Sequence, residues 1–286
     1  MKIGIAGLGK MGTNHLNELR KDDEFKVAAL YDLRQNAEFK EPFYTNLDEF
    51  LKANLDIVII ATPTSTHLEL AKAILAKVKC VLIEKPLAMN LKEMNEIKEL
   101  AKKHESSVAV GFSERFNPAI LALKKELANE KIISINIKRY SPFPARISDV
   151  GILQDLSIHD IDLVGFLSGE SFAKQGLLSL KKDDREIEAI ITLQSGLNSK
   201  QNIIAAVHQS WNCALKIRLV SVITENAFFE ADLNNFSLRK NGLPLALQGA
   251  SPLFSEHKEL LDLAKSGKMG RLASIKDALN AQACLE

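Results

Sequence analysis

Three residues in the sequence have side chains and positions suited to proton transfer at a hydroxyl group. Asp155 and His159 lie four residues apart in a segment with helical apolar spacing, so their side chains share one helix face. A carboxylate beside an imidazole can hold the ring in orientation and support its change of charge. Lys85 follows the predicted strand 80–84, where ligands of open α/β sheets bind. Alone, Lys85 could be a surface lysine and His159 a buried, satisfied histidine, but the combination favours catalysis.

A glycine-rich segment near the start of the chain has the spacing of a phosphate-binding loop. Gly7, Gly9 and Gly12 follow a short apolar strand at 2–6 and open a helix, which is the context that gives the motif weight. Gly7 would make a tight turn, Gly9 would let a pyrophosphate approach the backbone, and Gly12 would pack the helix against the strand. The helix N-terminus would present free N–H groups to the phosphates. The predicted phosphate-binding residues are Gly7, Leu8, Gly9, Lys10, Met11 and Gly12.

An acidic residue at the end of the second predicted strand indicates which dinucleotide binds. Asp32 lies 20 residues after Gly12, where a carboxylate can accept the adenosine ribose hydroxyls of NAD. It would repel the 2′-phosphate of NADP, although the nearby Arg34 could pair with that phosphate. We expect NAD rather than NADP, with Asp32 and Arg34 at the adenosine ribose and no metal ion.

The elements that must position these residues change in character near residue 117. Before it, apolar strands at 2–6, 25–31, 55–61, 80–84 and 107–111 alternate with helices, which predicts a doubly wound parallel sheet of the Rossmann type. After it, several strands follow one another without helices between them. The sequence therefore predicts an α/β dinucleotide-binding domain at 1–116 and an α+β domain at 117–286, built on an open, mostly antiparallel sheet. The C-terminal helix could pack back on the first domain.

Composition excludes several other classes of protein. The 37 basic and 36 acidic residues give a net charge of +1, which argues against the concentrated basic face of a nucleic-acid-binding protein. No apolar stretch approaches the ~18 residues of a membrane span, and the chain opens on a strand rather than a signal peptide. The three cysteines fit neither a zinc site nor a disulfide framework, so reduced core thiols are expected. We expect a soluble cytoplasmic protein with a small-molecule substrate.

These motifs together resemble the glucose–fructose oxidoreductase / inositol dehydrogenase (Gfo/Idh/MocA) family over nearly the whole chain. The family implies the two-domain fold described above and an NAD-dependent dehydrogenase acting on a CH–OH group. The resemblance rests on the glycine loop, on Ala61-Thr62-Pro63-Thr64 with His67, on Glu84-Lys85-Pro86, on Gly111-Phe112 with Arg115-Phe116-Asn117-Pro118, and on the Asp155 and His159 pair.

The resemblance also implies roles for individual residues. Lys85 would hydrogen-bond the reacting hydroxyl, Asp155 would contact the substrate or orient the pair, and His159 would be the acid/base. The Lys85–Pro86 bond is often cis in relatives. Further cofactor contacts are implied at Thr62, Pro63, Thr64, His67, Glu84 and Lys85; of these, Thr62, Pro63 and His67 would line the nicotinamide half and Glu84 would approach its ribose.

A narrower resemblance concerns the substrate. The stretch 139–151, together with 114–118, is similar to bacterial and archaeal UDP-N-acetylglucosamine 3-dehydrogenases, which implies oxidation of a sugar 3-hydroxyl to a ketone. Arg139 and Arg146 could hold a phosphate in a bidentate fork, or they could pair with carboxylates of their own domain. Asp160 and Asp162 lie on other helix faces and are expected to cap the helix or contact solvent. The expected substrate contacts are Arg115, Asn117, Arg139, Arg146, Asp155 and His159.

Several alternatives remain open from the sequence. The substrate could be an inositol, a free sugar or another nucleotide sugar. Some relatives of this fold are non-catalytic dinucleotide-binding regulators, and others are cofactor-assisted glycosidases. Relatives often associate through the open sheet of the second domain, so a homo-oligomer is expected.

Overall fold

A computed structural model describes residues 1–34, 38–143, 151–196 and 199–286. The chain divides into two compact units. One contains residues 1–113 and 253–279, and the other contains 114–252 and 280–286. Residues 253–279, which lie beyond the predicted boundary at residue 117, therefore group with the first unit.

The first unit contains a seven-stranded sheet of the Rossmann type, as predicted. Its strand order is β6-β5-β4-β1-β2-β3, all parallel, and β15 pairs antiparallel with the free edge of β6. The order reverses between β1 and β4, which is where ligands bind in such sheets. The strands are β1 (Lys2–Ala6), β2 (Lys26–Tyr31), β3 (Phe43–Tyr44), β4 (Ile57–Ile60), β5 (Cys80–Glu84), β6 (Ser107–Gly111) and β15 (Ala273–Ser274).

Helices flank this sheet and bury its central strands. All four residues of β4 and all five of β5 are buried, as expected for strands covered on both faces. All three cysteines are free thiols, with Cys80 and Cys284 buried and Cys213 half-buried. Burial raises the pKa of the Cys80 thiol on β5 to about 12. The helices are α1 (Lys10–Leu19), α2 (Leu47–Leu51), α3 (His67–Leu75), α4 (Leu91–Lys103), α7 (Pro252–Ser266) and α8 (Ile275–Ala283), the last of which ends in the second unit.

The second unit contains an eight-stranded sheet that is mostly antiparallel, as predicted. Its order is β14-β13-β12-β11-β7-β10-β9-β8, and β7 and β10 are parallel. Residues alternate along β7, where Ile135, Ile137 and Arg139 are buried while Lys138 is exposed. The strands are β7 (Ile132–Tyr140), β8 (Phe172–Lys182), β9 (Arg185–Ser195), β10 (Ile204–Ser210), β11 (Ile217–Thr224), β12 (Phe228–Asp232), β13 (Ser237–Lys240) and β14 (Leu243–Leu245).

Two helices, α5 (Pro118–Glu126) and α6 (Ile158–Ser168), complete the second unit. The segment with helical spacing around Asp155 and His159 begins as a π-helical turn, Leu153–Ser157, which leads into α6. Such turns widen the helix locally and are frequent at functional sites. α6 ends at Gly169, whose φ of 76° gives the left-handed cap that glycine favours. Among the residues that the structure describes, no helix combines the length and hydropathy that a membrane crossing requires.

Candidate active site

The glycine loop has the geometry that its spacing predicts. Gly7 has a φ of +94°, and a Cβ atom there would lie 2.6 Å from the backbone nitrogen of Thr62 at the end of β4. A Cβ on Gly12 would lie 1.8 Å from the carbonyl oxygen of Gly7, so α1 can start this close to the loop only with glycine. At Gly9, by contrast, a Cβ would meet nothing within 4 Å among the residues that the structure describes. Two of the glycines are thus required by the protein itself, and the third faces open space.

The N-terminus of α1 is suited to bind a pyrophosphate beside that space. Gly9 is the N-cap and supplies no side-chain cap, and the first turn contains no acidic residue. The first-turn amides of Lys10 and Met11, together with the helix dipole, therefore favour an anion. The residues present here fit the phosphates of a dinucleotide.

Asp32 lies next to this loop, after β2. Its Oδ2 accepts the Leu8 N–H at 2.7 Å and its Oδ1 accepts the Arg34 N–H at 3.2 Å. A carboxylate has about four acceptor positions, so both oxygens keep capacity for ribose hydroxyls. The glycine loop therefore orients the carboxylate that the sequence assigns to the adenosine ribose.

His67 joins the ends of β4 and β5. Its Nε2 lies 3.0 Å from the Thr62 carbonyl oxygen, and its Nδ1 lies 3.0 Å from that of Pro86. Burial is the largest influence on this ring and lowers the pKa of His67, and a neutral imidazole donates only one N–H. Because the ring is 1% exposed, His67 shapes the site through the two backbone segments that it links, and a direct cofactor contact stays a prediction.

Residues that precede His67 keep the exposure that a contact would need. Thr62 and Thr64 are half-buried, Pro63 is exposed, and the Thr66 hydroxyl donates to the Thr62 hydroxyl at 2.7 Å. The Lys85–Pro86 bond is cis, as the resemblance leads one to expect. The cofactor contacts expected at 62–64 and at Lys85 stay predictions.

Glu84 is held at the end of β5 by contacts that the sequence did not reveal. Its Oε1 lies 2.8 Å from His15 Nε2, and its Oε2 accepts the Lys85 N–H at 3.2 Å. A Cβ on Gly111 would lie 2.9 Å from the carboxyl carbon of Glu84, so the neighbouring strand makes room for the carboxylate. His15 in turn contacts His257 of α7. The one available sequence signal was His15, a histidine on the apolar face of the helix that follows the glycine loop.

The second unit supplies the predicted acid–base pair. Asp155 belongs to the π-helical turn and His159 to the first turn of α6. Both are half-buried, whereas Ser157, Ile158 and Asp160 around them are buried. Ser157 donates to Gln209 at 2.9 Å, and Gln209 donates to Asp160 at 3.0 Å, which fixes this end of the helix on β10. The arrangement leaves the two predicted catalytic side chains half-buried at the anchored end of the helix.

The expectation that Asp160 and Asp162 cap the helix or contact solvent is wrong. Asp160 is 0% exposed and Asp162 is 4% exposed. Asp160 accepts from Arg139 Nη2 at 2.6 Å, and Asp162 accepts from Arg115 Nη2 at 2.5 Å and Nε at 2.8 Å. Buried charges require such partners, so two ion pairs join α6 to the rest of the unit.

These pairs bear on the predicted substrate contacts. Arg139 is buried and bonds Asp160 and Glu114, which is the second alternative drawn from the sequence. Arg115 also lies over the Phe166 ring, and Asn117 caps α5 by accepting the Ala119 N–H at 3.1 Å. Substrate contacts by these three residues would require their present partners to be exchanged, and they stay predictions. Arg146 lies outside the described residues.

Sequence reasoning missed Arg218, which lies opposite Arg139 in the pairing of β11 with β7. Its Nη1 donates to Glu114 at 2.7 Å, and its side chain is 44% exposed. Burial, followed by the nearby charge of Arg139, lowers the pKa of Arg218, while Glu114, Asp160 and Asp155 act in the opposite direction. Arg218 is therefore a partly exposed guanidinium in the electrostatic neighbourhood of Asp155.

Comparison with protein families identifies the first part of the chain. Residues 1–112 match the model of the Gfo/Idh/MocA family, described as an oxidoreductase family with an NAD-binding Rossmann fold. The chain is 32% identical to myo-inositol 2-dehydrogenase of Thermotoga maritima over 59% of its own length, and the match covers 55% of that enzyme. The chain thus spans just over half the length of this relative.

Other similarities extend over nearly all of the chain. It is 27% identical to UDP-N-acetylglucosamine 3-dehydrogenase of Acidithiobacillus ferrooxidans, over 98% of this chain and 88% of that enzyme. A solved structure of UDP-N-acetylglucosamine 3-dehydrogenase from the same organism superposes with a TM-score of 0.87 at 22% identity, covering 100% of this chain and 95% of the other. The structural likeness establishes the fold of both units.

Proposed function

Since this chain belongs to the Gfo/Idh/MocA oxidoreductase family through its NAD-binding Rossmann domain, we propose that it oxidises a hydroxyl group of a sugar or polyol to a ketone. The observation that carries the proposal is the accessible pair of Asp155 and His159 at the start of an otherwise buried helix. A non-catalytic dinucleotide-binding regulator would need the glycine loop but no acid–base pair. A cofactor-assisted glycosidase stays an alternative that release of a free sugar would reveal.

The proposed mechanism divides the reaction among three side chains. Neutral His159 accepts the proton of the substrate hydroxyl, and Asp155 orients the imidazole or contacts the substrate. Lys85 donates a hydrogen bond to the oxygen as negative charge develops on it. NAD, when bound at the glycine loop and Asp32, supplies the hydride acceptor. A positioned general base contributes about 10²–10⁴-fold to such a rate.

We infer a nucleotide sugar, UDP-N-acetylglucosamine, as the substrate, with the 3-hydroxyl as the reacting group. The similarity to a UDP-N-acetylglucosamine 3-dehydrogenase over 98% of this chain supports this choice. Arg218 offers a guanidinium for a phosphate oxygen, because its side chain is partly exposed and, among the described residues, Glu114 binds only its Nη1. An inositol substrate is the main alternative, since a myo-inositol 2-dehydrogenase is also among the relatives.

A spectrophotometric assay of NADH or NADPH formation tests both the proposed reaction and the proposed substrate. UDP-N-acetylglucosamine, N-acetylglucosamine and myo-inositol are compared as substrates, with NAD and with NADP as oxidants. Lys85→Met and His159→Asn should each lower kcat by at least about 10²-fold, and His159→Asn should change the Kd for NAD by less than about threefold. Lys102→Met on α4 and His104→Asn at the end of α4 serve as matched controls.

The outcomes separate the alternatives. Oxidation of myo-inositol but not of the nucleotide sugar would contradict the proposed substrate and support the proposed reaction. Near-normal turnover in both catalytic variants would contradict the assignment of Lys85 and His159. NAD binding without turnover of any sugar or polyol would favour the regulator.

We also propose that the protein forms a homo-oligomer through the open face of the second sheet. Large apolar side chains that are 36–72% exposed lie on that face, and extended apolar patches of this kind commonly mark interfaces. They are Leu178, Ile190, Ile204, Leu219, Ile223 and Phe228. The cytoplasmic location expected from the sequence stays a prediction.

A further inference from the structure

A chain of two buried histidines ends on Glu84, and the proposed reaction gives neither histidine a role. His15 lies on α1, His257 lies on α7, and both belong to the first unit. His15 is 0% exposed, His257 is 2% exposed and Glu84 is 6% exposed. Leucine or methionine could fill such space without the cost of burying polar groups, so the hydrogen bonds of these rings call for an explanation.

The distances define a direction along this chain. His15 Nε2 lies 2.8 Å from Glu84 Oε1, and His15 Nδ1 lies 2.8 Å from His257 Nε2. An ionised carboxylate only accepts, so His15 Nε2 carries the proton that it donates to Glu84. In a neutral His15 ring Nδ1 then has no proton and accepts from His257 Nε2–H. Glu84 thereby fixes the tautomer of His15, and His15 fixes the tautomer of His257.

Glu84 is consequently held at both carboxylate oxygens. His15 binds one carboxylate oxygen, the Lys85 N–H binds the other, and Gly111 leaves room beside the carboxyl carbon. Burial, together with the nearby His15, keeps the pKa of His257 well below its ordinary value, which is consistent with a neutral donor. The plane of the carboxylate is therefore set before any ligand arrives.

We propose that His15 and His257 are positioning residues that fix the Glu84 carboxylate for the ribose hydroxyls in the nicotinamide half of NAD. The inference rests on the assignment of Glu84 to that ribose. It adds α7, from the far end of the chain, to the elements that determine cofactor affinity. Loss of either histidine should weaken ligands that contain this ribose and spare ligands that lack it.

Calorimetric titration with three ligands separates positioning from a general loss of structure. NAD and ADP-ribose contain the second ribose, whereas ADP ends at the pyrophosphate. His257→Leu and His15→Leu should weaken NAD and ADP-ribose by about tenfold and change ADP by less than about twofold. His257→Gln and His15→Gln place an amide donor near the lost ring Nε2 and should restore affinity to within about threefold of wild type.

Two controls make the result decisive. Phe25→Leu alters the packing against the edge of the His257 ring without touching its hydrogen bonds, and should leave the ratio of NAD to ADP affinity unchanged. Glu84→Gln should itself weaken NAD and ADP-ribose but not ADP. If His15→Leu fails to fold, the two His257 variants decide the question.

Three results would overturn the inference: an equal loss for ADP and NAD, unchanged NAD affinity in His257→Leu, or unchanged NAD affinity in Glu84→Gln. Failure of the wild-type protein to oxidise any sugar would contradict the proposed reaction instead. It would leave these binding ratios measurable, so the two failures are distinguishable.

Discussion

Charged side chains in the second unit differ sharply in how completely they are paired. Arg139 and Arg115 are buried and bonded to Asp160 and Asp162, so their charges are neutralised within the protein. Arg218 shares Glu114 with Arg139 and keeps 44% of its side chain exposed. A guanidinium that is held on one side and accessible on the other is prepared for an anion, because part of its orientational freedom is already lost.

Replacing Arg218 tests its part in substrate binding. Arg218→Met should raise the KM for UDP-N-acetylglucosamine about tenfold, because a charge-assisted hydrogen bond to phosphate is lost, and should leave kcat nearly unchanged. Lys216→Met removes an exposed cation next to β11 and is the matched control. Initial rates over a range of substrate concentrations give both constants. A rise in KM that is equally large for N-acetylglucosamine, which has no phosphate, would contradict the assignment.

Some residues of the candidate site can be predicted from the sequence, and others cannot. Asp155 and His159 could be predicted because their spacing on one helix carries the information. The partners of Arg139 and Arg115 could not, since both arginines bond acidic residues that lie more than 20 positions away along the chain. Arg218 has no local motif, and its place opposite Arg139 depends on the register of two strands.

At the scale of elements, the turn between β1 and α1 contains glycines that serve two different purposes. Gly12 is needed by the fold, because any side chain would collide with the Gly7 carbonyl. Gly9 is not needed by the fold, because its surroundings are open. A glycine without a structural reason is expected where a ligand must approach the backbone.

Two alanine variants distinguish these uses. Gly12→Ala should lower the thermal midpoint and weaken NAD, because α1 must move away from the loop. Gly9→Ala should leave the midpoint within about 2 °C of wild type and still weaken NAD about tenfold or more, since the methyl group occupies the path of the pyrophosphate. Thermal unfolding and titration with NAD measure the two effects. Normal NAD affinity in Gly9→Ala would show that the open space has another purpose.

The regular elements were largely predictable, and the exceptions have physical reasons. The apolar runs of β4 (Ile57–Ile60) and of residues 80–83 in β5 follow from burial on two faces, and the alternation along β7 follows from burial on one. β3 and β15 have two residues each, too few to show any period. The sequence cannot distinguish the π-helical turn at Leu153–Ser157 from an α-helix, because the side-chain patterns of the two hardly differ over five residues.

At the scale of the whole molecule, the second unit presents an apolar surface that its own residues leave exposed. Its sheet buries one set of alternating side chains and exposes the other, which includes Ile190, Ile204 and Leu219. Exposed apolar area of this extent is a liability in a monomer and a source of stability in an assembly. The proposed self-association follows from this asymmetry between the two faces.

A charge on that face should disrupt the assembly. Ile204→Glu on β10 should shift the protein from oligomer to monomer, because a carboxylate would be buried without a partner in the interface. Leu215→Glu, at a position that is 67% exposed in the segment before β11, is the matched control. Light scattering coupled to size-exclusion chromatography measures the mass of each variant. A wild-type protein that is monomeric at all concentrations would refute the proposed association.

The return of the chain to the first unit has a consequence for its biosynthesis. β6 obtains its outer partner, β15, from residues 273–274, and Cys80 of β5 contacts Leu260 of α7. Residues 114–252 must leave the ribosome before those partners exist, which takes on the order of ten seconds at about 5–20 residues per second. During that interval the nascent Rossmann sheet has an unpaired edge at β6, a template for pairing with other chains. The translation rate over residues 114–252 therefore sets how long the growing polypeptide is exposed to misassembly.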